Sequence, residues 1–208
     1  MNQKERILLL GNCGFERLAD QLRLDFDVTV AGLLDTHLIS KIDPVLVYVD
    51  LFDWTVMTPL YSMAIRGKEY ALPISHFAGI IQSLKQAPVW YRGIRKPSGG
   101  ALGIWQKNSI IDAQISRLQS LLAQERVIGI QALWSKKGII LDDVEYGLGH
   151  GEASLANGVE QAARVEADAI LAILSSRSSI KCIVVDQDEI ILKAFCVING
   201  IIEFVLKT

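Results

Sequence analysis

A cysteine flanked by a glycine turn and a single downstream histidine are the residues best suited to covalent chemistry. Ile7-Leu8-Leu9-Leu10 runs straight into Gly11-Asn12-Cys13-Gly14, and Phe15 to Leu22 follows with helical spacing. A buried strand, a sharp turn and a helix put the Cys13 thiol at a helix N-terminus, where the positive end of the dipole favours thiolate. Backbone N–H groups of Asn12, Gly14 and Phe15 at such a turn suit an oxyanion. His150 lies in Leu141-Asp142-Asp143-Val144-Glu145-Tyr146-Gly147-Leu148-Gly149-His150-Gly151. It is the candidate general base, and Asp143 or Asp142 the carboxylate that fixes its tautomer. A thiol nucleophile, a base and its orienter imply acyl transfer or ester hydrolysis. The structural alternatives are a small buried filler for Cys13 and an ordinary loop histidine beside turn acids for His150.

Other residues carry weaker signals. Arg92, Arg95 and Lys96 stand among Gly93, Pro97, Gly99 and Gly100. They read as a basic, glycine-rich loop that cradles an anion, with Arg92 as its ligand-binding residue, although the order of a phosphate-binding motif is missing. Trp54, Trp90, Trp105 and Trp134 fall near expected strand ends or loops, where tryptophans anchor loops or line grooves. Asp186-Gln187-Asp188 has the spacing of an aspartyl nucleophile and acid that bind Mg²⁺, but a turn between two strands explains it more simply. His37 and His76 read as surface or capping residues. No pattern has the spacing of a metal site, and no cofactor is expected.

The elements that must position these groups alternate. Helix 15–24 leads to a strand at 26–31, then a short connector at 35–41 and a β-branched strand at 45–51, buried on both faces. Residues 52–73 suggest a long surface excursion. Ser75 is expected to cap a helix with Phe77, Ile80, Ile81 and Leu84 on one side. A fourth strand at 88–93 precedes a loop from Arg92 to Gly103, then a helix at 109–124 and a fifth strand at 127–133. A loop from Lys136 to Ala153 leads to a long helix from Ser154 to Leu174, and Ser175–Ser179 reads as a breaker. Strands at 181–186, 190–198 and 201–207, with Asn199-Gly200 as hairpin turn, give a C-terminal antiparallel meander. The fold class is therefore α/β, a mainly parallel five-stranded sheet with helices on both faces, followed by the meander. The expected domains are 1–175 and 180–208.

Bulk properties narrow the function classes. The 208 residues are half apolar with a net charge of −2, so a nucleic-acid binder, which needs a clustered basic excess, is not expected. No apolar run has the length of a membrane span, and Met1–Arg6 lacks signal-peptide anatomy. Three scattered cysteines, Cys13, Cys182 and Cys196, do not form a disulfide framework, which points to the cytoplasm.

Gly11-Asn12-Cys13, the strand Asp43-Pro44-Val45-Leu46-Val47-Tyr48-Val49 and the run Ile180 to Asp188 together resemble FkbH-like proteins of haloacid-dehalogenase subfamily IIIC. Those proteins join an SGNH/GDSL-hydrolase-like domain to a dehalogenase-type domain in polyketide and related biosynthesis. The resemblance implies a flavodoxin-like, SGNH-like three-layer α/β/α domain in which Cys13 stands at the position of the nucleophilic serine. It also implies that the C-terminal strands are the start of a dehalogenase-type domain. Glu189-Ile190 replaces that family's Asn-Thr, so its glyceryl-phosphate chemistry is not carried over. The Gly-Asn-Cys turn is also similar to the Gly-Asn-Cys-Gln turn of a capsule-polysaccharide family of acyltransferases. The expected substrate is a small or carrier-bound molecule. The alternative is a non-catalytic binding domain that kept the fold, with a homodimer formed through the C-terminal strands.

Overall fold

The computed structural model describes residues 4–11, 15–51, 60, 63, 66–68, 71–93, 109–122, 126–140, 158–178, 183–185, 193–198 and 201–206. The chain divides into two compact units, Met1–Ala167 and Asp168–Thr208.

The first unit is α/β and is built on a five-stranded sheet. Strand β1 (Arg6–Gly11) is its centre, and Ile7 to Leu10 are wholly buried, as a strand covered on both faces requires. The following strands are β2 (Asp27–Gly32), β3 (Leu46–Val49), β4 (Val89–Arg92) and the short β5 (Val127–Ile128). Every pairing in this sheet is parallel, and the order is β2-β1-β3-β4-β5. The chain therefore reverses its direction of travel across the sheet after β2, so β1 and β3 flank the point where the strand order switches, beyond whose C-terminal ends open α/β sheets bind ligands.

Six helices occur among the described residues: α1 (Glu16–Leu22), α2 (Leu38–Ile42), α3 (Ile74–Ser83), α4 (Ser109–Gln119), α5 (Ile130–Lys136) and α6 (Val159–Ser178). Helix α1 buries Leu18, Ala19 and Leu22, the i, i+1, i+4 stripe that its spacing announces. Asp43 ends α2 in the left-handed conformation at φ 50°, which a short polar side chain tolerates, and Pro44 cannot continue a helix. No helix among the described residues is long and apolar enough to cross a membrane.

Three local expectations need correction. Val127 to Leu133 is not one strand: β5 stops at Ile128, and Gly129, outside helical geometry at ψ 67°, starts α5. Ile130 and Trp134, one turn apart, are the buried residues of that helix, so its period is 3.6 rather than 2. Ser75 does not cap α3; Pro73 holds the N-cap position without a side-chain bond, its fixed φ suiting a helix start. Helix α6 continues through Ser175 to Ser178, where the serine-rich run suggests a breaker. Exposed serines lower helix propensity only by tenths of a kcal/mol each, roughly, which a long helix absorbs.

In the second unit, strands β6 (Ile183–Val185), β7 (Lys193–Ile198) and β8 (Ile201–Leu206) are formed.

Candidate functional site at the carboxyl edge of the sheet

The parallel register fixes which side chains meet where the strands end. Val49 lies opposite Tyr91, so the next residues, Asp50 and Arg92, are neighbours at the carboxyl edge of β3 and β4. Tyr48 precedes Asp50 by two residues and shares its face of the sheet. Helix α6 supplies Glu166 from the buried stripe Ala162, Ala163, Glu166 and Ala167.

These four side chains form one network. The guanidinium of Arg92 donates from Nε to Glu166 Oε1 and from Nη2 to Glu166 Oε2, each at 2.7 Å. Its Nη1 donates to Asp50 Oδ2 at 3.2 Å. Tyr48 Oη donates to Glu166 Oε1 at 2.7 Å. Asp50, Arg92 and Glu166 are 4%, 4% and 0% exposed, so the charges meet away from solvent screening. Two-pronged Arg–carboxylate geometry orients both partners.

Aromatic rings surround the cation. Arg92 Cζ lies 5.0 Å from the centroid of Phe15 and 6.0 Å from that of Trp134, distances at which ring quadrupoles attract a guanidinium. The Phe15 and Tyr48 rings are 5.5 Å apart. Trp134 Nε1 donates to the Ala162 carbonyl at 3.0 Å and so holds α6 one turn before Glu166. The exposed pair Arg17–Glu160 at 3.2 Å adds a tie between α1 and α6, worth about 0–1 kcal/mol in water.

Burial shifts the protons of the network. Burial, then the Glu166 carboxylate, raises the Tyr48 phenol well above its ordinary value. Burial alone would lower Arg92, but Glu166 and Asp50 reverse that and hold it above its ordinary value. Tyr48 is therefore a neutral donor and Arg92 a fixed cation. One guanidinium faces two carboxylates, a formal excess of one negative charge among these groups.

Tyr48→Phe leaves a buried charged acceptor with one donor fewer, an expected loss of about 1.5–3 kcal/mol at neutral pH. The sign of its pH dependence follows from the raised phenol. The folded state keeps a proton that the unfolded state releases near pH 10, so Tyr48's contribution is complete below about pH 10 and declines above it. Burial also raises Tyr91, partly opposed by Arg126, so Tyr91 adds a decline of the same sign in both proteins. Urea unfolding at stepped alkaline pH should show the gap between wild type and Tyr48→Phe narrowing as pH rises; a constant gap would contradict the account.

The network abuts the end of β1. A Cβ on Gly11 would come 2.8 Å from the Phe15 ring and 3.3 Å from Asp50 Cβ, so only glycine lets the chain leave β1 so close to both. Past Arg92, Gly93 lines a cavity of about 240 Å³ with Val127, Gly129 and Ala132.

Among the residues singled out from sequence, Phe15 and Arg92 are described and stand together. Arg92 is the last residue of β4 and not part of a loop. The adjacent glycine suggests a loop, but the ladder to β5 extends through Arg92, opposite Ile128. Cys13, His150, Asp142, Asp143, Asn12 and Gly14 lie outside the described residues, as do Arg95, Lys96, Trp54, Trp105, Asp186 and Asp188. Trp134 is a helix residue in the core rather than a loop anchor, and His37 and His76 are exposed, His37 without a capping bond. Asp50 and Glu166 were not anticipated. Asp50 ends an apolar strand run, and Glu166 interrupts the alanine stripe of α6, the two positions where an acid has to be partnered. Among the described residues no three His, Cys, Asp or Glu side chains gather as a metal ion needs.

No family model, curated protein or solved structure matches the chain.

Proposed function

We propose that the chain is an SGNH-like acyl-transfer or ester-hydrolysis domain acting on a small or carrier-bound substrate at the carboxyl edge of its sheet. Cys13 is the nucleophile, His150 the general base and Asp143 or Asp142 its orienter, with the N–H groups of Asn12, Gly14 and Phe15 receiving the oxyanion. Phe15 and Arg92 stand together at the same edge of the sheet. The reading rests on one observation: β1 ends where the strand order reverses, the place at which open α/β sheets bind ligands. In this proposal the first unit is a flavodoxin-like three-layer domain, and the C-terminal strands are a β-meander kin to the start of a dehalogenase-type domain.

The step is balanced without a co-reactant beyond the acceptor. His150 takes the Cys13 proton as sulfur bonds to the acyl carbon, and returns it to the departing alkoxide or thiolate. Water or an acceptor hydroxyl then attacks the thioester carbonyl and gives its proton to His150; the carbon–sulfur bond breaks, and His150 returns that proton to the Cys13 sulfur.

The test is alkylation by iodoacetamide at neutral pH, with the modified cysteine located by mass spectrometry. Cys13 is expected to react at least about tenfold faster than a simple thiol, because a lowered pKa enlarges the thiolate fraction. His150→Ala should reduce that rate severalfold. A Cys13 no faster than glutathione would remove the nucleophile.

A specific observation favours a second reading, a binding domain without catalysis. Asp50 and Glu166 bring two buried carboxylates to this edge, and negative charge there opposes a developing oxyanion. Under that reading Cys13 alkylates at the rate of a simple thiol.

A further inference from the structure

We propose that the cavity beyond β4 and β5 is a binding site for an uncharged planar ring that carries one hydrogen-bonding substituent. Gly93 directly follows β4 and Gly129 directly follows β5, so two bare backbones bound the cavity at the carboxyl ends of these strands. A Cβ on Gly93 would lie 3.2 Å from Gly129 Cα, which puts the two glycines side by side as one wall. No side chain projects from that wall, and a flat ring lies against bare backbone more closely than a bulky group does.

The two glycines have different causes. Gly93 is held to glycine by the Ile128 carbonyl oxygen, which a Cβ would meet at 2.6 Å. Gly129 has φ −73° and ψ 67°, a conformation that any L residue adopts. A Cβ built on Gly129 would meet no atom within 4 Å. Neither backbone strain nor packing calls for glycine at 129. The missing side chain leaves the wall of the cavity open to whatever lies against it.

Size and charge select the occupant. At about 240 Å³ the cavity exceeds the roughly 150 Å³ that holds benzene. It falls below the roughly 300 Å³ at which pockets for drug-sized ligands begin, so a single substituted ring fits and a nucleotide does not. Leu122, Val127 and Ala132 supply apolar surface. None of the described lining residues is charged, and Arg92, next to Gly93 in the chain, is given to Glu166 and Asp50. An ion would therefore leave water without gaining a counter-charge. Gln119 and Gln131 border the cavity from α4 and α5, and a carboxamide both donates and accepts. An amide or hydroxyl on the ring matches them.

Titration of the full ¹⁵N-labelled chain, followed by NMR, tests the site with three probes: benzamide, benzoate and hexanamide. Benzamide is expected to bind with a dissociation constant in the low millimolar range, as suits about nine non-hydrogen atoms. The amides of Val127, Gly129 and Gln131 should shift most. Benzoate keeps the ring and adds a charge, hexanamide keeps the amide and loses the ring, and both should bind at least about fivefold more weakly. Gly129→Leu should weaken benzamide about tenfold and leave the melting temperature near that of wild type, because the added Cβ displaces nothing. Ala132→Leu, at an exposed position of α5, should weaken it as well. Ring binding needs neither Cys13 nor His150, so it is decided apart from acyl transfer. Absence of saturable shifts with benzamide up to about 10 mM overturns the proposal. So do shifts confined to another part of the chain, equal affinity for the three probes, or binding that neither variant weakens.

Discussion

Arg92→Met is expected to destabilise the first unit by about 3–5 kcal/mol, the range found when one partner of a buried ion pair is removed. In a chain of this length that corresponds to a fall in melting temperature of about 10 °C. Methionine fills much of the same volume between Phe15 and Trp134, so lost packing is a small part of the effect. The larger part is electrostatic. Glu166 loses both of its Arg92 bonds and Asp50 loses one, and the two carboxylates stay together in a site almost closed to water. The double variant Arg92→Met with Glu166→Met separates this cause from packing, since it removes one of the stranded charges. It should be more stable than Arg92→Met alone, although Asp50 still lacks its bond to Arg92 and the Tyr48 hydroxyl its bond to Glu166. Urea unfolding of the wild type, both single variants and the double closes the cycle. Additive losses would show that Arg92 and Glu166 act independently and would refute the network.

Gly93→Val should cost about 3 kcal/mol, at the upper end of what overpacking does. A Cβ at this position meets the Ile128 carbonyl oxygen at 2.6 Å and Gly129 Cα at 3.2 Å. Both are backbone atoms, so no side chain can swing aside. Gly93 N also donates to the same Ile128 carbonyl at 2.8 Å, and this bond extends the short pairing of β5 to β4. Valine therefore forces the two segments apart where the sheet is thinnest. Hydrogen exchange should quicken at Ile128 and in α5 and stay near wild type in β1 and β3. Uniform acceleration across the sheet would show that β5 is not an independent weak point. The glycine also bounds the 240 Å³ cavity, so the same variant narrows it.

The parts of the fold set by burial alone are the parts the sequence makes plain. Ile7 to Leu10 and Leu46 to Val49 are continuous apolar runs, and each is a strand hidden on both faces. Turn chemistry marks the end of α2 through Asp43-Pro44. Ambiguity arises where two periods share residues. Val127 to Leu133 alternates well enough to pass for a strand, while Ile130, Leu133 and Trp134 also fit a helix, and Gly129 decides between them. The charged site is the least legible part. Arg92 beside glycine reads as solvent-facing, and its burial depends on Asp50 and Glu166, which lie 42 and 74 positions away. Single-sequence spacing carries no signal for partners at that separation. What it does offer is the anomaly of an acid inside an apolar stripe, and Glu166 among alanines is such a case.

That separation also orders assembly on the ribosome. Chains emerge from the N-terminus, so β1, β3 and β4 leave the exit tunnel well before α6. Until residue 166 arrives, a sheet that has already formed holds Arg92 without its two bonds to Glu166, and the Tyr48 hydroxyl without that acceptor. Water must then hydrate the Tyr48 and Arg92 groups that are buried in the finished unit. Helix α6 thus acts as a completion signal for the network: the Tyr48 hydroxyl gains its acceptor only when the segment that carries Glu166 docks.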